Sequence, residues 1–276
     1  LRRYQLLPVT RVEACSSGGT PLAAVNGVQG EAQAKPLENR GICAVMLHGF
    51  LGSPAHFAPL AALAEACGVQ THTISLPGHG GSLREFLRTG RRAWEAHVAS
   101  ELTALRAQHE KLLLVGHSMG GLLAICAAVK MQDGIAGILA IALPLRLRIT
   151  REGIRIRIAA ACRARAGEDP RIAAARDLCG VSGITVWNAP LLIPNALALL
   201  CVMRRARKSL PALRVPLRVV NSIGDEIVSP RSLDFLKTVQ PNAEITQLQA
   251  SSHFWFSPDE WETLKALFMH ALASTQ

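Results

Sequence analysis

An α/β fold built on a mostly parallel central sheet, with helices on both faces and an inserted lid, is what this amino-acid sequence predicts, on three observations. Short apolar runs that read as strands alternate with longer runs at helical spacing, the rhythm of parallel strands joined by crossover helices. The run Leu112-Leu113-Leu114-Val115 passes through Gly116-His117-Ser118-Met119-Gly120 into the apolar run 122–129, which reads as strand, sharp turn and helix with a serine at the tip. The rhythm then breaks after Leu143 and resumes near Leu213, leaving roughly 70 residues outside the sheet, far more than an ordinary connection needs.

In order, the expected strands are 42–47, 70–75, 111–115, 135–143, 215–221 and 244–248. Between the first two, Ser53-Pro54 supplies an N-cap and a proline at the first helical position, followed by Phe57, Leu60, Ala61 and Ala64 at helical spacing. Further helices are expected over 93–107, 119–131, 230–239 and 258–273, with Asp234 and Asp259 as caps. The first forty residues read as edge strands or a loose hairpin. Residues 1–143 and 213–276 thus form the core and 144–212 the lid. Within the lid, alternation of Arg with aliphatic residues over 145–158 predicts a β-hairpin with a basic face, with a helix as the competing reading. Residues 189–203 are apolar on most sides and need cover, as a cap helix over an acyl pocket would have.

Composition narrows the function classes. The chain has 276 residues, 49% hydrophobic and 18% charged, long enough to bury a substantial core. The longest candidate membrane span, 112–129, carries His117 and Ser118 at its centre, which argues against a span. Seven scattered cysteines without C-x-x-C spacing argue against a disulfide framework or zinc site and read mostly as reduced core residues of a cytoplasmic protein. No secretory signal is legible at the start. There is no G-x-G-x-x-G, no phosphate loop and no metal spacing, so no cofactor or metal is expected. The net charge is +10, and residues 144–212 hold 13 Lys and Arg against four acids, or +9 of it. Such a run is either a solvated face or an attraction for an anionic membrane surface or an acyl carrier. Nucleic acid is disfavoured, because the basic residues are not interleaved with aromatics.

A serine hydroxyl is a poor nucleophile unless a base takes its proton. The base and its orienting acid belong on later loops at the C-terminal ends of strands, where open α/β sheets place their ligands. Two segments fit: 218–230, a strand running into Gly224-Asp225-Glu226, and 245–254, a strand running into Ser252-His253. His253 would shuttle the proton and Asp225 would orient it, with Glu226 as the rival acid. Of the remaining histidines, His117 reads as packing for the turn, and His48 and His79 as hydrogen-bonding loops. An oxyanion needs two backbone donors. Met119, which opens a helix, offers one, and Phe50, in the small-residue loop His48-Gly49-Phe50-Leu51-Gly52, offers the other. Leu51, His117, Leu192 and Leu197 are candidates for the substrate pocket.

His48-Gly49-Phe50, Leu76-Pro77-Gly78-His79-Gly80, Gly116-His117-Ser118-Met119-Gly120-Gly121, Gly224-Asp225-Glu226-Ile227-Val228 and Ser252-His253 stand in the order seen in α/β-hydrolases. Over residues 40–276, less the lid, the chain resembles the carboxylesterase and monoacylglycerol-lipase branch. That resemblance implies Ser118, Asp225 and His253 as a catalytic triad, Phe50 and Met119 as oxyanion donors, and a small acyl ester as substrate. The run 48–53 is also similar to menaquinone-pathway lyases of the same superfamily, so the fold alone does not fix the reaction. Acyl-thioesterase activity on CoA or carrier-protein thioesters, and a non-catalytic ligand-binding scaffold, are the alternatives.

Overall fold

A computed structural model describes residues 41–148, 150–162 and 169–275; the expected N-terminal hairpin lies outside them. Six parallel strands form one sheet in the order β2-β1-β3-β4-β5-β6: β1 (Ile42–Leu47), β2 (Gln70–Ile74), β3 (Lys111–His117), β4 (Ile135–Ile141), β5 (Leu217–Ser222) and β6 (Glu244–Leu248). In two interior strands, the whole of β1 and residues 112–115 of β3 are unbroken apolar runs, because both faces of the sheet are covered there.

On one face lie α2 (Leu83–Leu87), α3 (Arg91–Arg106), α4 (Met119–Ala128), α7 (Ile193–Ser209) and α8 (Arg231–Val239), whose Phe86, Trp94, Leu122, Val202 and Leu236 pack with Val45, Leu114 and Ile138. On the other, α1 (Ala58–Ala66) and α9 (Pro258–Ala273) bring Leu60, Ala64, Leu264 and Phe268 against Met46, Leu113 and Leu139. Helix α4 is buried on nearly every side, since it sits between the sheet and α7.

Several local expectations are corrected. The stretch 145–158 is not a hairpin. Residues 146–148 run antiparallel to 227–229, with Arg148 N–H on Ile227 O (2.8 Å) and Ser229 N–H on Arg146 O (2.9 Å), and the chain then turns into α5 (Arg151–Ala161). The Thr150 hydroxyl accepts the Gly153 amide and caps that helix, and the buried Gly153 and Ile156 share one face at helical spacing. Helix α6 (Pro170–Asp177) packs on α5. Ser53 makes no side-chain cap; Pro54 opens a 3₁₀ turn that leads into α1. Asp234 and Asp259 lie inside first turns, where a carboxylate favours the helix dipole, rather than at the caps. Of the six described cysteines, Cys43 and Cys126 are buried, Cys67 and Cys179 half-buried, and Cys162 and Cys201 exposed, so the described ones are not mainly core.

Among the described residues, the helix long and apolar enough to cross a membrane is Ala189–Ala212, not 112–129. Its inward face, with Asn195, Val202, Met203 and Ala206, packs on α4 and α3. Its outward face leaves Leu191, Ile193, Leu197 and Leu200 between 45% and 59% exposed, and Trp187 just before it is 93% exposed.

Four of the described basic residues of 144–212 are held in ion pairs. Arg155 and Arg171 both reach Glu152 and Asp169, Arg176 meets Asp177, and Arg205 meets Glu95.

Candidate active site

Strand β3 delivers Ser118 in a left-handed conformation, φ 52° and ψ −118°, which a side-chain-bearing residue adopts only under constraint. The constraint is visible on both sides. Ser118 N–H donates to Ile141 O at the end of β4 (2.8 Å), and its carbonyl accepts from Gly121 and Leu122 as α4 begins. The flanking glycines are sterically required. A Cβ at Gly116 would lie 2.4 Å from the Gly121 nitrogen, and one at Gly120 would lie 1.9 Å from the Leu47 carbonyl oxygen. Leu51 (φ 58°) and Ala142 (φ 51°) are also left-handed, so the segments that follow three neighbouring strands, β1, β3 and β4, each hold a strained residue.

The loop after β6 carries His253 over this turn. His253 Nε2 is 3.0 Å from Ser118 Oγ and Nδ1 is 2.8 Å from Asp225 Oδ2. All three residues are buried. The other oxygen of Asp225 accepts the amides of Ile227 (2.7 Å) and Val228 (2.8 Å). Burial opposes ionisation of Asp225, but the His253 ring, its hydrogen bond and those two amides outweigh it and hold the carboxyl below its ordinary value. The rival Glu226 has a different place: its Oε2 accepts the backbone N–H of His253 at 3.1 Å.

His253 is held from the other end too, since His117 Nε2 donates to its carbonyl at 2.8 Å. His117 is fully buried, its ring stacked on His56 at 4.1 Å, and burial pushes its pKa well down. It therefore packs the turn and does not line a pocket, which corrects that expectation. Glu260, in the first turn of α9, accepts the amides of Gln249, Ala250 and Ser251 and so shapes the histidine loop. Burial works against its charge, yet the Ser251 hydroxyl and the three amides bring it down to about 2. Nothing in the sequence marks Glu260 or the His117 bond, because their partners are set by the folded loop.

The Gly49-Phe50 peptide borders the nucleophile: a Cβ at Gly49 would lie 3.0 Å from Ser118 Cβ. Among the described residues, the Phe50 and Met119 amides donate to no other group. The Phe50 ring packs edge-on against Phe86 (5.4 Å) and Trp94 (6.2 Å). Leu51 and Leu192 are half-buried against the core, whereas Leu197 is 57% exposed and faces outward rather than into a pocket. A groove of about 560 Å³ between α2 and residues 182–191, lined by Leu83, Arg84, Leu87, Arg88 and Leu191, includes none of the four expected pocket residues. Among the described residues no cluster of His, Cys, Asp or Glu could hold a metal.

The arrangement can take a proton from a serine hydroxyl, stabilise the resulting imidazolium and present two free amides beside the serine. Known proteins share this fold. The chain is 34% identical over 107 residues to a thermostable monoacylglycerol lipase of Bacillus sp. (strain H-257), a match spanning 38% of this chain and 41% of that enzyme. Its structure is similar to that of a metagenome-derived lipolytic enzyme (TM-score 0.64, 22% identity, 87% of this chain and 100% of the other). It is likewise similar to a monoacylglycerol lipase of Paleococcus ferrophilus (TM-score 0.63, 20% identity, 84% and 94%). The pattern of the alpha/beta hydrolase family runs through residues 44–266, from β1 to the last helix, and the chain belongs to that family.

Proposed function

We propose that this chain is a serine hydrolase of carboxylic esters, with a carboxylesterase or monoacylglycerol-lipase type of substrate. The observation that carries the reading is the unbroken hydrogen-bonded line Ser118–His253–Asp225, at 3.0 and 2.8 Å. Ser118 Oγ attacks the acyl carbon while His253 Nε2 takes the hydroxyl proton, and the carbonyl oxygen gathers negative charge between the amides of Phe50 and Met119. The tetrahedral intermediate collapses, His253 returns the proton to the departing alcohol, and the acyl group stays on Ser118. Water then repeats the sequence, giving up its proton to His253, and releases the carboxylic acid. Asp225, deprotonated and tied by two amides, fixes the imidazole tautomer throughout.

Residues 144–212 act in this reading as a lid over a core formed by the remainder. The apolar outer face of α7, with exposed Arg204 and Lys208 continuing it, suits a substrate presented at an anionic lipid surface better than one carried by an acyl carrier. Internal pairing of Arg155, Arg171, Arg176 and Arg205 leaves less free charge for a carrier than the sequence alone implies. A reducing, cytoplasmic setting is our reading of the scattered cysteines.

The test is a chain-length series of nitrophenyl esters and acyl-CoAs with wild type and Ser118→Ala. Ester turnover lost in the variant supports the proposal. Preferential acyl-CoA turnover moves it to a thioesterase, and equal activity in both proteins ends it.

A further inference from the structure

The arginine-rich segment 144–212 meets the acid loop through its stem, and the Arg148 contact there is not a surface ion pair. Arg148 Nε donates to the backbone carbonyl of Asp225 (2.8 Å), and Nη2 donates to the carbonyl of Ile223 (2.8 Å) and also reaches that of Asp225. The same guanidinium therefore spans the turn that ends in the acid. The neighbouring backbone, 146–148, is zipped to 227–229. Two positions further on, the Thr150 hydroxyl donates to Glu226 O at 3.2 Å, and a Cβ on Gly153 of α5 would lie 3.0 Å from that same oxygen. The loop 223–229 is thus held between two partners, with the Asp225 and Glu226 carboxylates turned to His253 and the carbonyls turned to the stem of the inserted segment.

We propose that Arg148 is a positioning residue: by bridging the Ile223 and Asp225 carbonyls it sets where the Asp225 carboxylate stands, and so couples the stem of the inserted segment to the tautomer and aim of His253. The proposal rests on the hydrolase reading of the site. A guanidinium suits the task because its planar fork serves two acceptors at once, whereas an ammonium is a point donor.

The experiment compares Arg148→Ala, Arg148→Lys and Ser232→Ala. Ser232 pairs with the Arg146 backbone on the same stem (2.9 and 3.0 Å) but touches no part of the Ser118–His253–Asp225 line. On a short, soluble nitrophenyl ester, Arg148→Ala is expected to lower kcat by about ten- to a hundredfold, the scale of a small misplacement of a catalytic group, with KM within about twofold. Arg148→Lys should fall between it and wild type, added guanidinium should restore part of the loss in Arg148→Ala, and Ser232→Ala should stay near wild type. A second readout does not need turnover: the proton shared by His253 Nδ1 and Asp225 should give a proton NMR line far downfield, lost or broadened in Arg148→Ala and kept in Ser232→Ala. Unchanged kcat and an unchanged line in Arg148→Ala, or an equal loss in Ser232→Ala, would overturn the proposal. A wild type without ester turnover would end the hydrolase reading instead, and the NMR comparison would still decide the role of Arg148.

Discussion

His48 should make this fold acid-sensitive well above the range in which carboxylates titrate. Its side chain is fully buried and both ring nitrogens are committed: Nδ1–H donates to Gly49 O (3.0 Å), and Nε2 accepts the Leu76 amide (3.1 Å). A second proton would set an N–H against the N–H of Leu76. Burial lowers its pKa to about 4, and burial, then the neighbouring His48, lower that of His79 to about 3. In the unfolded chain both titrate near 6.5. As pH falls below 6.5 the unfolded state takes up protons that the folded state refuses, so stability present at neutral pH is lost on the way to pH 5. At about 1.4 kcal/mol per pH unit, that loss is about 2 kcal/mol for each of these histidines by pH 5. Against a total stability of about 5–15 kcal/mol this is large. The clean quantity is a difference. Urea unfolding followed by circular dichroism at pH 7 and pH 5 should show a pH-dependent loss in wild type that is smaller by about 2 kcal/mol in His48→Asn, which carries no titrating group. Equal pH dependence in the two proteins would refute the reasoning.

Two further predictions concern the turn and the acids. Gly120→Ala places a methyl 1.9 Å from the Leu47 carbonyl, a backbone atom that cannot swing away, and should cost about 3 kcal/mol or prevent folding. Gly68→Ala, at φ 74° with nothing within 4 Å, should cost only the roughly 1–2 kcal/mol of a left-handed residue. Chemical denaturation that ranks the two equally would contradict the close approach at Gly120. Asp225→Asn should reduce kcat by about 10⁴, as loss of the tautomer-fixing acid does. Glu226→Gln keeps an oxygen for the His253 amide and should cost less than about tenfold. The reverse order in steady-state rates would make Glu226 the orienting acid.

What the sequence revealed divides along a physical line. The strands were legible because residues such as 42–47 and 112–115 are continuous apolar runs buried on both faces, and their limits fall within two residues of expectation. The turn at Ser118 was legible because its glycines are forced by a strand and helix in near contact. The segment 145–158 misled because Arg-Ile alternation has period two, while what decides its structure is the Thr150 cap and the pairing of 146–148 with a loop some 80 residues later in the chain. His117, Glu226 and Glu260 act through backbone groups of the histidine loop, and backbone donors and acceptors leave no trace in residue type. Arg148 was counted among the basic residues of a charged segment, when its guanidinium in fact faces carbonyl oxygens.

The central claim is that Ser118 is a nucleophile activated by His253. Its most direct test is intact-mass spectrometry of the full chain after exposure to a fluorophosphonate probe. The expected result is one phosphonyl adduct per chain on Ser118, absent in Ser118→Ala and much slower to form in His253→Ala. No adduct on the folded wild type, or an adduct that forms equally in Ser118→Ala, would contradict it.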